Sequence, residues 1–267
     1  MPVYLGQHFL VSRFFLKKIV DTLQLEKGDF VVEIGPGHGE LTEEFRIPNL
    51  EFRVIAVEKD RGLTKGLRKK FAHNHNKDIK IITGDILKIL LTLPKSSYKL
   101  VGNIPFYITG RLLRTLSELK YKPLLIVLTI QKEVAQRIIA QPPKMNLLAA
   151  SVQFWAEPKI IDYIPKKYFK PQPKVDSAII KLSPQIYADE TQTNAGKYYT
   201  LIKILFKQPR KTILNNLINI KRADLPKIDV NIWRSDLQKL LLKLGVNPND
   251  RPQNLTIDQI TNLSSLF

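Results

Sequence analysis

The chain has 267 residues, a hydrophobic fraction of 44% and a mean hydropathy of −0.13, values typical of a globular protein with one large and one small domain. No apolar run reaches the roughly 18 residues of a membrane helix, and the amino-terminal sequence lacks a signal pattern, so we expect no membrane association. The absence of cysteine excludes disulfides, thiolate metal sites and cysteine nucleophiles, and is compatible with a cytoplasmic location.

The charge is strongly positive: 42 Lys and Arg stand against 24 Asp and Glu, for a net charge of +18 and a pI of about 9.9. This balance favours a polyanionic partner, most commonly nucleic acid, and the alternative is a solvated, Lys-rich surface. Residues 185–267 carry twelve Lys or Arg and seven Asp or Glu, a net +5 that leaves +13 for residues 1–184. We therefore expect a binding face that involves both parts of the chain.

The first elements in chain order predict a helix, a strand, a glycine turn and a second helix. Apolar positions between Phe14 and Leu23 have helical spacing, and Ser12 is placed to cap that helix. The strand Asp29–Ile34 runs into Gly35-Pro-Gly-His-Gly39 and then into a helical pattern. These glycines allow a backbone to approach a ligand closely, but their spacing matches neither the dinucleotide motif nor a P-loop.

Polar side chains follow the next three predicted strands. Glu58 ends Phe52–Val57, Asp85 follows Ile79–Ile82, and Asn103 follows Tyr98–Val101. An acidic residue about 20 positions past the glycine turn is typical of a site that holds ribose hydroxyls. Four polar sites at four strand ends predict a nucleoside cofactor along this edge of the sheet, and for each acid alone the alternative is a solvated carboxylate.

The stretch Asn103-Ile104-Pro105-Phe106 combines groups suited to an adenine ring. Asn accepts hydrogen bonds from an exocyclic amine, Pro stiffens the loop so that a carbonyl points outward, and Phe offers a stacking face. The alternative is an ordinary turn between a strand and a helix.

The middle of the chain predicts further strands and a loop with a second aromatic. Pro123–Ile130 is typical of a buried strand, Gln131–Ile138 of a helix, and Lys159–Ile164 and Ser177–Leu182 of two late strands. Phe169 lies in the Pro-rich loop between the late strands. We expect it to be exposed and to stack on a flipped base opposite Phe106, with a core anchor as the alternative.

Helical patterns replace strands after about residue 184, and the domain boundary is expected at 184–192. The segment Lys207-Gln-Pro-Arg-Lys211 is a basic cluster suited to phosphates, with a solvated helix end as the alternative.

His73 and His75 lie in a polar turn without a third ligand, which indicates a surface loop and no metal site. No serine-hydrolase elbow is present. The helical patterns run over Tyr198–Phe206, Thr212–Ile220, Ile232–Leu244 and Ile257–Phe267.

These motifs together resemble the ribosomal RNA adenine N6,N6-dimethyltransferases, and the resemblance extends from residue 4 to about 258. The Arg210-Lys-Thr-Ile213 stretch is more similar to the small-subunit branch than to the erythromycin-resistance branch. The matching segments are Leu5–Leu10, Glu33–Gly37, Glu58, Gly84-Asp85, Gly102–Phe106, Gln131–Val134, Pro173–Ser177, Arg210–Ile213 and Arg251–Thr256.

The resemblance implies a Rossmann-like class I methyltransferase sheet, seven-stranded and mostly parallel, in residues 1–184, with a small all-α RNA-binding domain in 185–267. It also implies dimethylation of two adjacent adenosines in a loop of small-subunit rRNA, with S-adenosyl-L-methionine as cofactor. Apart from the resemblance, a monomer is the default expectation. Glu58 is expected to hold the cofactor's ribose and Asp85 its adenine amine. Cofactor contacts are expected at His8, Leu10, Gly35, Gly37, Glu58, Asp85 and Asn103, catalytic roles at Asn103, Ile104, Pro105, Phe106 and Phe169, and RNA contacts at Arg111, Arg114, Lys207, Arg210 and Lys211.

Two further functions stay open from the sequence. One is a methyltransferase with the same site chemistry that acts on large-subunit rRNA. The other is a non-catalytic assembly or transcription factor on the same scaffold.

Overall fold

The computed structural model describes residues 7–72, 79–93, 97–185, 190–218 and 230–265, and the predicted loop at His73 and His75 lies outside these ranges. Strands within the described ranges form one large sheet and one two-stranded ribbon. The strands are β1 (Phe9–Leu10), β2 (Phe30–Ile34), β3 (Arg53–Glu58), β4 (Ile79–Thr83), β5 (Lys99–Asn103), β6 (Leu125–Gln131), β7 (Ala156–Ile164), β8 (Phe169–Lys170) and β9 (Ser177–Pro184).

The large sheet has seven strands in the order β4-β3-β2-β5-β6-β9-β7. The five strands from β4 to β6 are parallel, whereas β9 pairs antiparallel with both β6 and β7. This arrangement confirms the predicted Rossmann-like, mostly parallel sheet.

Helices connect the parallel strands, and the order of these strands reverses at one point of the sheet. The chain passes from β2 outward to β3 and β4 and then returns to β5 on the other side of β2. Sheets of this type bind ligands where the strand order reverses, outside the carboxyl ends of the strands. The helices are α1 (Arg13–Thr22), α2 (Glu40–Glu44), α3 (Arg61–Ala72), α4 (Ile86–Ile89), α5 (Thr109–Glu118), α6 (Lys132–Ile138), α7 (Leu147–Gln153), α8 (Glu190–Leu205), α9 (Ile213–Leu217), α10 (Val230–Lys243) and α11 (Ile257–Ser264).

Helix α1 covers one face of the sheet with most of the apolar positions that its periodicity predicts, but Phe14 is exposed. Leu16, Ile19 and Leu23 are buried against sheet residues that include Val31 and Val101. Ser12 occupies the N-cap position, but its side chain makes no capping hydrogen bond there. Helix α1 is therefore held mainly by burial of its apolar face.

The two-stranded ribbon of β1 and β8 has no counterpart among the predicted elements. Phe9 pairs with Lys170 and Leu10 with Phe169, in antiparallel register. A two-residue strand carries no detectable alternation, so its pairing with a segment about 160 residues away cannot be inferred from local pattern.

The chain divides into two compact units, Met1–Gln136 with Ala156–Pro184 and Arg137–Trp155 with Gln185–Phe267. The described elements that lie wholly in the second unit are all helical. In that unit the Phe154 ring stacks on Tyr198 with centroids 3.9 Å apart, and the Tyr198 hydroxyl donates to the Ala150 carbonyl at 2.9 Å. The expected domain boundary at 184–192 stays a prediction, and this division differs from it at residues 137–155.

No helix in the described part of the chain combines the length and the apolar character needed to cross a membrane.

Candidate active site

A cavity lies at the carboxyl ends of β2, β3, β4 and β5, where the strand order reverses. Its empty volume is about 1080 Å³, open mouth included. Gly37, Arg114 and Phe169 do not line it, although the sequence predicted roles for them. The predicted site residues that do line it are His8, Leu10, Gly35, Glu58, Asp85, Asn103, Ile104, Pro105, Phe106 and Arg111.

The glycine turn after β2 serves the cavity in two ways. Gly35 has φ +59°, and a Cβ atom built on it would meet nothing within 4 Å, so its backbone borders open space. Gly37 has φ +62°, and a Cβ atom there would lie 2.7 Å from the Phe9 ring. Gly35 therefore leaves room for a ligand, whereas Gly37 allows the ring of β1 to pack on the turn.

Glu58 is a buried carboxylate that two backbone groups hold in place. The Gly37 N–H donates to Oε2 at 3.2 Å, and the Asp60 N–H donates to Oε1 at 2.9 Å. Each oxygen keeps a further lone pair, because a carboxylate has about four acceptor positions. The group can therefore accept two hydroxyl hydrogens without rearrangement.

Asp85 stands at the rim of the cavity and caps helix α4. Its Oδ1 accepts from the Leu87 N–H at 3.0 Å, and the Lys59 Nζ lies 3.3 Å from Oδ2. The side chain is partly exposed. It is an acceptor with fixed direction at the mouth of the site.

The Asn103 loop has one anchored side and one open side. Asn103 Nδ2 donates to the His8 carbonyl at 2.9 Å, and His8 Nδ1 donates in turn to the Pro171 carbonyl at 2.7 Å. Within the described ranges no hydrogen bond reaches Asn103 Oδ1 or the Ile104 carbonyl. Two acceptors therefore remain available in this loop.

Phe106 is half-buried beside these acceptors. Its ring centroid lies 5.8 Å from that of His8, with the two planes tilted by 35°. Phe106 follows Pro105, whose φ of −58° and missing N–H fix the direction of the turn. The loop thus presents an aromatic ring next to two hydrogen-bond acceptors.

Glu33 is a further cavity residue to which the sequence analysis gave no role. It is fully buried in β2, where its Oε2 accepts from the Thr42 hydroxyl at 2.7 Å and its Oε1 has no partner in the described part of the chain. Burial raises the pKa of Glu33 to about 8, against the Thr42 hydrogen bond, and Glu40 and Glu58 raise it further. The signal in the sequence is an acid inside the apolar run Phe30–Ile34.

The prediction of an exposed Phe169 is wrong. Its side chain is only 2% exposed and packs in the core with Phe15 and Leu10. Pairing of β8 with β1 turns this ring inward, so it offers no face to a base. Phe169 instead anchors its loop in the core, which is the alternative that the sequence allowed.

The predicted RNA-contact residues lie on helix α5 of the first unit and in the second unit. Arg111 lines the mouth of the cavity, and Arg114 is exposed on α5 in an ion pair with Glu118 at 2.9 Å. In the second unit Lys207, Arg210 and Lys211 are all exposed. Their roles in RNA binding stay predictions.

These residues fit a cationic cofactor that carries a nucleoside. The turn at Gly35 is open, the Glu58 carboxylate is fixed for a diol, and Glu40, Glu58 and Asp85 make the lining acidic. The described residues contain no group of three or more His, Cys, Asp or Glu that could hold a metal ion.

Comparisons with known proteins agree with this geometry. A family model described as ribosomal RNA adenine dimethylase matches residues 3–266. The ribosomal RNA small subunit methyltransferase A of Dehalococcoides mccartyi is 37% identical over 261 residues, covering 96% of this chain and 84% of the relative. The protein of the same name from Rippkaea orientalis is 38% identical over 277 residues, covering 98% and 96%.

Two solved structures share the fold. A dimethyladenosine transferase from Plasmodium falciparum superposes with a TM-score of 0.81 at 24% identity, covering 96% of each chain. The 23S rRNA methyltransferase ErmE gives a TM-score of 0.74 at 24% identity, covering 96% of this chain and 98% of ErmE.

Proposed function

Because this chain belongs to the ribosomal RNA adenine dimethylase family, we propose that it methylates the N6 amines of two adjacent adenosines in a loop of small-subunit rRNA. Each adenosine receives two methyl groups during biogenesis of the small ribosomal subunit. The cofactor is S-adenosyl-L-methionine, which supplies an electrophilic methyl group.

The anchored Asn103 loop is the observation that carries this proposal. The Nδ2 of Asn103 is committed to the His8 carbonyl at 2.9 Å, which leaves Oδ1 directed to other donors. An adenine N6 amine has two hydrogens, and Asn103 Oδ1 and the Ile104 carbonyl accept one each. Phe106 stacks on the base that these two acceptors hold.

Orientation is what the reaction needs from the protein. The adenine amine is a weak nucleophile because its lone pair is delocalised into the ring. Two acceptors on the amine hydrogens draw the nitrogen toward a tetrahedral shape and aim its lone pair. The methylated nitrogen is cationic and loses its proton readily to solvent, so no strong base is required.

A pocket with only two polar contacts to the amine also suits a second methylation. After the first transfer one hydrogen remains, and the amine must turn to present its lone pair again. Asn103 Oδ1 or the Ile104 carbonyl can hold that remaining hydrogen. We therefore assign both transfers to the same loop.

The cofactor is held by the residues at the strand ends. Glu58 accepts the ribose hydroxyls, Asp85 accepts from the adenine amine, and Gly35 lets the backbone lie close. His8 and Leu10 complete the lining of the cavity, and Gly37 acts through its N–H on Glu58.

The net charge of +18 supports a nucleic-acid substrate. We assign phosphate contacts to Arg111 and Arg114 in the first unit, and to Lys207, Arg210 and Lys211 in the second. The enzyme is a cytoplasmic monomer that acts on immature small subunits without a metal ion.

The experiment is labelled methyl transfer to undermethylated small ribosomal subunits, with the modified nucleotides mapped. Parallel reactions contain protein-free large-subunit RNA. We expect N6,N6-dimethyladenosine at two adjacent positions in small-subunit rRNA and no label in the large-subunit RNA. Label in the large-subunit RNA alone would show that large-subunit rRNA is the substrate instead. Absence of label in both RNAs would refute enzymatic methylation.

A further inference from the structure

A group of exposed lysines lies in the segment that connects β7 to β9. Lys166, Lys167, Lys170 and Lys174 form what we call the lysine strip, and none of them makes an ion pair with any described residue. Asp176 is the only acid in residues 163–176, and its Oδ1 accepts from the Lys166 backbone N–H at 3.0 Å. The strip therefore carries four positive charges that have no ion-pair partner in the described part of the chain.

Two hydrogen bonds connect the lysine strip to the Asn103 loop. Pro171, in the middle of the strip, accepts from His8 Nδ1 at 2.7 Å. The His8 carbonyl accepts from Asn103 Nδ2 at 2.9 Å. Lys170 also pairs with Phe9 in the ribbon of β1 and β8. The strip thus adjoins the wall of the cavity that receives the target base.

An exposed aromatic side chain is connected to the strip through two other aromatic rings. Phe14 is 66% exposed, and its ring contacts Phe15 edge-on at 5.1 Å. Phe15 contacts Tyr168 at 5.2 Å, and Lys167 Nζ lies 5.2 Å from the Tyr168 ring centre. Lysines next to an exposed aromatic ring are typical of surfaces that bind single-stranded nucleic acid.

We propose that the lysine strip binds the phosphates of the RNA strand flanking the target adenosine, and that Phe14 stacks on a neighbouring base. The inference rests on the proposed function, because it takes the cavity as the site of methyl transfer. A base that enters the cavity brings the adjoining phosphates to its rim, where the strip is. An acidic protein would also match the lysines, but the exposed Phe14 ring favours bases.

The test uses the full chain with all four strip lysines changed to Gln. The matched control removes the same charge at β4, α3 and α4, beside the opposite edge of the sheet. Both sets are exposed and unpaired within the described ranges, so both variants should keep the wild-type melting temperature and cofactor affinity. The control lysines are Lys65, Lys69, Lys80 and Lys88.

Binding to a single-stranded RNA of about ten nucleotides, titrated with salt, measures the phosphate contacts. Each contact with single-stranded RNA contributes about 0.7 to the slope of log K against log salt. We expect the strip variant to lower that slope by about 3 and the control variant to leave it unchanged. Equal slopes in the two variants would overturn the assignment.

Phe14→Ala tests the stacking contact separately. We expect RNA affinity to fall about tenfold with an unchanged salt slope, because stacking involves no phosphate. Leu91→Ala is the control, since Leu91 is 67% exposed in a different segment of the chain. Equal affinities for Phe14→Ala and Leu91→Ala would remove Phe14 from the surface.

Methyl transfer to undermethylated small subunits separates this inference from the proposed function. An inactive wild-type enzyme contradicts the proposed function itself. An active wild type with a strip variant as active as the control contradicts the strip alone. A strip variant that loses activity on whole subunits but keeps the wild-type salt slope on protein-free RNA would mean that the lysines face an acidic protein, which overturns the RNA assignment.

Discussion

Glu33→Gln should remove a large pH dependence from the stability of this protein. The folded chain raises the pKa of Glu33 from 4.5 to about 8 because the carboxyl is buried. Between these two values the folded state keeps a proton that the unfolded state has released. The Glu33 contribution to the free energy of unfolding therefore falls as the pH rises through this window, and is constant on either side of it.

The size of the effect follows from the raised pKa. Each pKa unit corresponds to about 1.36 kcal/mol, so the window from 4.5 to about 8 corresponds to about 5 kcal/mol. A Gln side chain has no proton to lose and can still accept from the Thr42 hydroxyl. We compare the free energy of unfolding of the variant with that of wild type. The variant's advantage in this free energy should be about 5 kcal/mol larger at pH 9 than at pH 4.5.

Urea unfolding of cofactor-free protein between pH 4.5 and pH 9 measures this difference. Glu157→Gln is the control, because Glu157 is exposed on β7 and its charge should matter little. Parallel stability curves for wild type and Glu33→Gln across this range would show that Glu33 is ionised in the folded protein. That result would refute the assignment of a neutral, buried carboxyl in the cavity.

Three further changes test other parts of the molecule. Asn103→Ala should lower the rate of methyl transfer by orders of magnitude, with cofactor affinity within about tenfold of wild type by calorimetry; near-normal turnover would contradict its role. Arg210→Ala with Lys211→Ala should weaken RNA binding and reduce its salt slope on single-stranded RNA by about 1.4, and an unchanged slope would exclude both. Phe169→Ala should cost about 3 kcal/mol of unfolding free energy in urea, because the ring fills the core; an unchanged midpoint would show that the site tolerates the cavity.

The strand ends of this site were predictable because each is a local signal. The apolar run before Glu58, the glycines after Ile34 and the turn at Asn103 are each recognisable within a stretch of a few residues. Parallel strands bring their carboxyl ends to one edge, so local signals sufficed to predict the cluster.

Other features depend on partners distant in sequence. The burial of Phe169 follows from pairing with Leu10, and α7 packs through Ala150 and Phe154 on Tyr198. For both Phe169 and α7, the sequence shows that an apolar or aromatic surface is present. It does not show which distant segment covers that surface. The raised pKa of Glu33 has the same origin, because it needs the depth of the burial as well as the residue type.

The bond between Asn103 and the His8 carbonyl has a consequence for synthesis of the chain. His8 is held by Pro171, and β1 is paired with β8, so one wall of the cavity depends on residues more than 150 positions later. While a ribosome makes this protein, β2 to β5 can emerge before that wall has a partner. In a nascent chain shorter than about 171 residues, Pro171 is not yet present to fix His8, so the His8 carbonyl is not held in place to accept from Asn103. The site therefore forms late. The enzyme becomes competent to bind RNA at its active loop only after most of the first unit has left the ribosome.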